Sequence, residues 1–319
     1  MGELMPSVAS SSAPPSAKVP FGLSSTLDFP TVSPTPRYLP WTRQLPSVVA
    51  EMGYLKGSDG HPFTYMYDPP AGIERQNCEF ELVRMPIRDA RHLVYPPSVD
   101  IEGFALWDAP TMVSDFRNDQ EIMAKYYAET TELVRNATGA TSVIVFDHQV
   151  RKREAGRPPL SFGRAGDGSN PGAVGRVHVD YSEETGQKRL NLVLKDAALC
   201  NSVERFAIVN VWRSIKGPVL DTPLAVCDAR SVGAGDLEAC EIRYQDRSGT
   251  IYLVRHSNRH HWYYYSAMDR NEALIFKQYD SLINSVSRFT PHAAFDHPEA
   301  TESTPLRESI EVRCLAIFN

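Results

Sequence analysis

Residues 205 to 215 read RFAIVNVWRSI, and this stretch is the best guide to the fold. It is short and rich in β-branched and aromatic side chains, which predicts a largely buried strand. Comparable stretches follow it to the end of the chain, separated by turns: PLAVCDA, IRYQD, GTIYLVRH, HHWYYYS, EALIFKQYD, PHAAFDHP and SIEVRCLAIF. Many short strands with turns between them predict an antiparallel sandwich or barrel.

Two helical segments precede this run of strands in the sequence. Residues 118 to 137 predict a helix because Asn118 is a suitable cap, apolar residues recur at helical spacing, and Gly139 follows. A second helix is predicted around residues 186 to 199. Three further stretches predict strands: residues 54 to 67 as two strands around a Gly-Ser-Asp-Gly turn, CEFELVRMP from Cys78, and SVIVFD from Ser142. We therefore expect a mainly β fold with helical support.

The chain divides into a short tail and one domain. Residues 1–20 are biased towards Ser, Pro and Ala, which predicts a disordered N-terminal tail, and residues 21–319 are predicted to form a single domain. Within it, residues 148–175 are rich in Gly, Pro and charge, as is typical of a lid or binding loop. We expect the basic run from Arg151 to Arg157 to be a solvated part of that lid, although an acidic substrate would favour an anion site.

Composition excludes several classes of function. The 319 residues are 42% hydrophobic and 23% charged, with a formal net charge of −6, which argues against nucleic-acid and anionic-membrane binding. No apolar stretch is long enough to span a membrane, and the N-terminus lacks the features of a secretory signal. The 5 cysteines are widely spaced, with no CxxC pair, which suits a reducing compartment. We expect a cytoplasmic protein that acts on a small molecule; the oligomeric state is left open.

Two segments carry candidate metal ligands. His178 and Asp180 are separated by one residue in the predicted strand RVHVDYS, so alternation places an imidazole and a carboxylate on one face. His-x-Asp is often a surface pair, so a third ligand is needed to give it meaning. His292, in TPHAAF, supplies one, and His297 is the alternative because it follows closely.

A candidate carboxylate-binding pair opens the last strand. Arg307 and Ser309 share a face, and a guanidinium beside a hydroxyl suits a terminal carboxylate. Arg313 lies on the same face and is the alternative clamp, while an exposed salt bridge is the purely structural interpretation. Together with His178, Asp180 and His292, this pattern is that of a two-histidine, one-carboxylate facial triad with open coordination positions, as iron(II) oxygen chemistry requires.

Several blocks of sequence resemble one family. They occur in the same order as in the hydroxylase/desaturase family of fungal and bacterial secondary metabolism, and cover most of the chain after the tail. The blocks are GF at 103, the YY-x-E-x-x-x-L-V helix from Tyr126, FDH at 146, RVHVDYS, NVWR, PLAVCDAR, YDS, PHAAF and RESIEVR.

The resemblance implies a double-stranded β-helix, or jelly-roll, core that binds Fe(II) and the co-substrate 2-oxoglutarate. Carried over, it makes His178, Asp180 and His292 the iron ligands and Arg307 with Ser309 the clamp for the distal carboxylate of 2-oxoglutarate. The implied reaction is hydroxylation, desaturation or oxidative cyclisation of a secondary metabolite or an amino-acid-derived substrate.

Other residues and functions remain as alternatives. Asn210 is a further candidate for binding 2-oxoglutarate, and Trp212 could line the pocket or simply belong to the core. His256, His260 and His261 could form a second metal site, but without a carboxylate we expect a solvated turn. A non-catalytic jelly-roll partner subunit and a cupin-type metal binder are the competing functions; the intact triad and the Arg-x-Ser argue against both.

Overall fold

The computed structural model describes residues 45–161, 171–283 and 287–318. These residues belong to one compact unit that spans Gln44–Asn319. The predicted tail, residues 1–20, lies outside the described residues, as do residues 162–170 of the predicted lid loop. Within the described part, no helix is both long and apolar enough to cross a membrane.

Strands dominate the architecture, which confirms the mainly β prediction. In chain order they are β1 (Ser47–Ser58), β2 (Phe63–Tyr65), β3 (Cys78–Asp89), β4 (Phe104–Asp108), β5 (Ser142–Lys152), β6 (His178–Val179), β7 (Arg205–Ser214), β8 (Leu224–Cys227), β9 (Leu237–Arg243), β10 (Ser248–Val254), β11 (Trp262–Tyr264), β12 (Glu272–Asp280), β13 (His292–Ala294) and β14 (Glu308–Phe318).

The helices are few. They are α1 (Asp119–Glu121), α2 (Tyr127–Thr138), α3 (Glu183–Leu194) and α4 (Ala197–Ser202), with a π-helical segment Ile122–Tyr126 and 3-10 turns Ala90–His92, Ala229–Ser231 and Ala234–Asp236. The first two and the π-helical segment run on as one helix, which Asn118 caps by accepting hydrogen bonds from the backbone of Gln120 and Glu121. Gly139, at φ 72°, ends it, as its left-handed conformation allows. The helix predicted over residues 118–137 is thus confirmed.

The strands form two sheets. The larger sheet has the order β1-β3-β11-β8-β13-β6-β10-β9-β2, and the smaller has the order β4-β12-β7-β14-β5. Pairing is antiparallel except for β3 with β11 and β2 with β9. The two strands predicted within residues 54–67 are present but do not pair with each other, because β1 pairs with β3 and β2 with β9.

Alternation along β7 explains how the smaller sheet is covered on both faces. Val209 and Val211 pack with Ile122, Tyr126 and other residues of the helix beneath the sheet. Trp212, on the other face, packs with Leu224 and Val226 of the larger sheet. The sheets therefore meet face to face, and the opposite side of the smaller sheet carries the helical layer.

Two sequence-based boundaries were wrong. The helix predicted around residues 186–199 is two helices, because Ser182 and Thr185 form a capping box that starts α3 earlier and Lys195, at φ 56°, interrupts the segment. The first five residues of the predicted lid loop, 148 to 152, are the end of β5, where they pair with β14. Charged residues there do not prevent strand formation because β5 lies at the edge of its sheet.

Candidate active site

The two candidate histidine ligands are direct cross-strand partners. β13 pairs with β6 so that His292 lies opposite His178, and their ring centroids are 4.3 Å apart. Asp180 follows β6, and its Oδ1 lies 3.3 Å from His178 Nε2. The sequence prediction that these two side chains share a face is confirmed. One ligand atom from each of the three residues lies within 4.8 Å of the others, an arrangement that could hold a metal ion.

The hydrogen bonds of His178 and His292 are made through Nδ1, which leaves the Nε2 atom of each ring available to a metal ion. His178 Nδ1 lies 2.7 Å from the carbonyl oxygen of Arg176, to which it donates, so Nε2 faces Asp180. His292 Nδ1 lies 3.4 Å from the carbonyl oxygen of Thr290. Burial and the neighbouring His178 lower the pKa of His292 to about 3, so this ring is neutral at physiological pH, as a metal ligand must be.

Asp180 is an anion with one occupied and one available oxygen. Its Oδ2 accepts hydrogen bonds from Asn210 Nδ2 at 2.9 Å and from Arg313 Nε at 3.1 Å. Burial alone would raise the pKa of Asp180, but Arg313 and the two histidines hold it well below its ordinary value. Oδ1, which faces His178, is therefore the oxygen available to bind a metal ion.

Gln278, which sequence reasoning missed, joins the two ligand-bearing segments. Its Oε1 accepts a hydrogen bond from the backbone N–H of Asp180 at 2.7 Å. Its Nε2 donates to the carbonyl oxygen of Thr290 at 3.2 Å and lies 3.4 Å from His292 Nδ1. The sequence signal was a polar residue near the end of the strand EALIFKQYD, and the structure shows that this side chain is fully buried.

A cavity adjoins the three ligand residues. Its walls are Arg151, Val174, His178, Asp180, Trp212, Leu224, His292, Ala294, Arg307 and Glu311, and it contains about 330 Å³ of space including its open mouth. The sequence left two roles open for Trp212, as a pocket wall or as a core residue. The structure shows that it has both.

Arg307 and Ser309 are buried with unused hydrogen-bonding atoms. Arg307 Nη1 donates to the carbonyl oxygen of Thr222 at 3.0 Å, but its Nε has no partner among the described residues. The hydroxyl of Ser309 is also buried without a partner in that part of the chain. Burial and the nearby Arg151 lower the pKa of Arg307 to about 10, so it remains charged at neutral pH.

Arg313 and Asn210 contact the metal-site carboxylate and not the free part of the cavity. The Nε, Nη1 and Nη2 atoms of Arg313 donate to Asp180, Asp147 and Glu311, respectively. Asn210 uses its amide N–H on Asp180, and its Oδ1, also buried and without a partner among the described residues, can only accept. Neither residue lines the cavity in which a co-substrate carboxylate would bind.

The structure corrects two expectations of solvated segments. Arg153 is buried and donates to Thr222, Pro158 and Asp296, while Arg151 lines the cavity, so this basic run is not a solvated lid. His260 is also buried, between the hydroxyl of Tyr54 and the carboxylate of Asp236. It does not belong to a metal cluster in the described residues, and tertiary neighbours that the sequence cannot show are the reason it is not in a solvated turn.

Comparison with known proteins shows the family to which this chain belongs. The family model described as Oxidoreductase/YMDC permease-like domain matches residues 52–317. The hydroxylase/desaturase CTB9 of Cercospora beticola is 31% identical, over 80% of this chain and 86% of its own length. The Fe(II)/2-oxoglutarate-dependent dioxygenase nvfI of Aspergillus novofumigatus is 29% identical, over 79% of this chain and 89% of its own length. The chain belongs to the hydroxylase/desaturase family of Fe(II)/2-oxoglutarate-dependent oxygenases.

A solved structure agrees with this family. A variant of the iron and alpha-ketoglutarate-dependent endoperoxidase NvfI superimposes with a TM-score of 0.76 at 26% identity, covering 86% of this chain and 97% of its own. Alpha-ketoglutarate is another name for 2-oxoglutarate. The jelly-roll prediction is confirmed, and so are the prediction of an enzyme over a non-catalytic partner and the prediction of Fe(II) and 2-oxoglutarate as cofactors.

Proposed function

We propose that His178, Asp180 and His292 bind the Fe(II) of this oxygenase, through Nε2, Oδ1 and Nε2, respectively. The observation that carries this assignment is the cross-strand pairing of His178 with His292 beside the free oxygen of Asp180. Two imidazoles and one carboxylate occupy one side of a metal and leave the other positions open. The chemistry of the donor set therefore fits Fe(II).

We propose that Arg307 and Ser309 hold the distal carboxylate of 2-oxoglutarate. The support is that each has a buried atom without a partner among the described residues, Nε and Oγ respectively, and that Arg307 lines the same cavity as the candidate iron ligands. A carboxylate would accept hydrogen bonds from both, which removes the cost of leaving buried donors unpaired. Trp212, Leu224 and Val174 would form apolar walls that exclude water around the rest of the molecule.

Other side chains would position the ligands. Arg313 and Asn210 occupy Oδ2 of Asp180, and this keeps Oδ1 directed at the metal site. Gln278 ties the backbone of Asp180 to Thr290, two residues before His292. Iron with 2-oxoglutarate supplies the oxidising chemistry when bound: oxygen is consumed, 2-oxoglutarate yields succinate and carbon dioxide, and the substrate is hydroxylated, desaturated or cyclised.

The substrate is a small molecule, and we propose that the enzyme does not act on nucleic acid and works in the cytoplasm. The support for the first is the formal net charge of −6, which repels a polyanion. The support for the second is the set of widely spaced cysteines, of which four are buried as free thiols: Cys78, Cys227, Cys240 and Cys314. Buried free thiols suit a reducing compartment.

Anaerobic reconstitution tests the ligand assignment. We expect wild-type protein to bind one Fe(II), to develop a charge-transfer absorption on addition of 2-oxoglutarate, and to form succinate after exposure to oxygen. His178→Ala, Asp180→Ala and His292→Ala should each abolish iron binding and turnover while far-ultraviolet circular dichroism stays unchanged. His297→Ala is the matched control and should behave as wild type, because His297 lies outside the cluster.

Near-normal iron binding in any of the three variants would remove that residue from the site. Loss of iron binding in His297→Ala, with retention in His292→Ala, would reverse the assignment of the third ligand.

A further inference from the structure

The cavity contains a second cationic side chain, Arg151, in addition to Arg307. In the described part of the chain, the hydrogen bonds of both guanidinium groups go to backbone carbonyl oxygens, of Gly172 for Arg151 and of Thr222 for Arg307, and neither forms a salt bridge. Buried or partly buried cations normally have a carboxylate partner. Two cations in one cavity, neither with a carboxylate partner among the described residues, favour the binding of an anion there.

Arg153, two residues after Arg151, has the kind of carboxylate partner that Arg151 lacks among the described residues. Arg153 donates from Nε to Thr222, from Nη1 to Pro158 and from Nη2 to Asp296, so each of its three nitrogens donates and its charge has a carboxylate partner. Within the described part of the chain, Arg151 donates one hydrogen bond, from Nη1 to the Gly172 carbonyl oxygen at 3.1 Å. A guanidinium has five N–H donors, so most of those on Arg151 remain available to a ligand.

Arg151 and Arg307 are held in the cavity by different segments of the chain. The Arg307 guanidinium contacts Thr222 and lies 5.5 Å from the centre of the Trp212 ring. Arg151 lies on β5, opposite Ser309 of β14, and its bond to Gly172 directs it towards the segment before β6. The nearest acidic side chain on its own face, Glu311, is already bound to Arg313 Nη2 at 2.8 Å.

We propose that Arg151 binds a carboxylate of the substrate, so that this oxygenase acts on an organic acid. The proposal rests on the function proposed above, in which 2-oxoglutarate uses one carboxylate at Arg307 and Ser309 and the other at the metal. Arg151 is then a cation in the same cavity that neither carboxylate of 2-oxoglutarate uses. The group it binds has to enter with the substrate.

Substitutions in β5 provide a matched test. Arg151→Gln removes the charge and most donors but keeps a polar side chain, whereas Arg151→Lys keeps the charge. Lys152→Gln removes the same charge from the neighbouring position, whose exposed side chain points to the other face and lies 3.8 Å from Glu308. Lys152 takes no part in the cavity.

The probes are butanoate and its uncharged counterpart butanamide. Each is added under anaerobic conditions to protein loaded with Mn(II) and saturated with 2-oxoglutarate, and the paramagnetic relaxation of its protons by Mn(II) is measured by NMR. We expect butanoate to be relaxed and butanamide not. Butanoate affinity should fall by roughly 10- to 100-fold in Arg151→Gln, the range for a hydrogen-bonded charged group, and less in Arg151→Lys. Lys152→Gln should match wild type, and the affinity for 2-oxoglutarate should be the same in all four proteins.

Three outcomes would overturn the proposal. Equal relaxation of butanoate and butanamide would show that no anion site faces the metal beyond that for 2-oxoglutarate. Unchanged butanoate binding in Arg151→Gln would exclude this residue. Weaker 2-oxoglutarate binding in Arg151→Gln would make Arg151 a second clamp for the co-substrate. Failure of the wild-type protein to bind Mn(II) or 2-oxoglutarate would instead overturn the proposed function on which the inference rests.

Discussion

Arg307 immediately precedes β14 and Arg313 lies within it, and the two arginines have different surroundings. Arg313 is bound to three carboxylates, whereas Arg307 has a buried Nε without a partner among the described residues. We therefore expect Arg307→Ala to raise the half-saturating 2-oxoglutarate concentration by roughly 30- to 1,000-fold, or about 2–4 kcal/mol, with iron binding retained. Steady-state succinate formation and equilibrium iron binding measure the two effects.

Arg313→Ala is the comparison for that prediction. It removes a hydrogen bond to Asp180, so we expect it to weaken iron binding by roughly 10- to 100-fold instead. If Arg313→Ala raises the 2-oxoglutarate requirement and Arg307→Ala does not, the clamp is Arg313.

Gln278 contacts both ligand-bearing segments through one amide. Gln278→Leu has a similar volume but no hydrogen bonds to the backbone of Asp180 and Thr290. We expect roughly 10- to 100-fold weaker iron binding, as is typical for residues that orient metal ligands. Gln187→Leu, on the exposed side of α3, is the control and should bind iron normally. Normal iron binding in Gln278→Leu would limit Gln278 to a packing role.

At the scale of elements, the segment that leads to His292 is held against the residue before β4. The carbonyl oxygen of Gly103 accepts hydrogen bonds from Lys277 N at 2.8 Å and from Thr290 Oγ1 at 3.0 Å. Gly103 has φ +93°, and a Cβ there would lie 2.2 Å from Thr290 Oγ1. A larger residue at position 103 would therefore collide with Thr290 and would also have to adopt a positive φ, so this position requires glycine.

Gly103→Ala should accordingly affect both stability and the site. We expect it to lower the free energy of unfolding by more than about 2 kcal/mol, since conformational strain adds to a steric clash. Gly139→Ala is matched, because Gly139 also has a positive φ but open space around its Cα; it should cost only about 1 kcal/mol. Urea unfolding measures both, and equal losses would show that the contact with Thr290 is unimportant. Iron affinity should fall in Gly103→Ala alone.

At the scale of the whole molecule, buried histidines make stability depend on pH. Burial lowers the pKa of both His260 and His292. In the unfolded chain each has a pKa of about 6.5, so as the pH falls from 7 to 5 the unfolded state takes up more protons than the folded state. The stabilisation is complete above the unfolded pKa and is lost as pH falls.

The metal-free protein should therefore unfold more readily at pH 5.5 than at pH 7.5. Each fully neutral ring can contribute at most about 1.4 kcal/mol per pH unit. Urea unfolding at several pH values measures the slope, and His260→Gln should reduce it. A free energy of unfolding that stays constant across this range would contradict the assignment of neutral buried rings.

Local features of this protein could be predicted from its sequence because they depend on neighbours along the chain. The helix capped by Asn118 and ended by Gly139 is such a feature, and so is the shared face of His178 and Asp180. Strand alternation also placed Arg307, Ser309 and Arg313 on one face. His292 was a candidate third ligand that no local pattern could connect to His178, and the family resemblance supported this choice.

Only the tertiary structure decided which side chains are buried together. The register of β13 on β6 brings His292 opposite His178, and a sheet register depends on pairing between distant segments. The same long-range packing assigns Arg313 to Asp180, encloses His260, and turns Arg151 into the cavity. It also brings Gln278 between the two ligand segments. Hydrogen-bond partners, burial and charge balance arise from contacts between sheets, so residue type and spacing alone could not determine them.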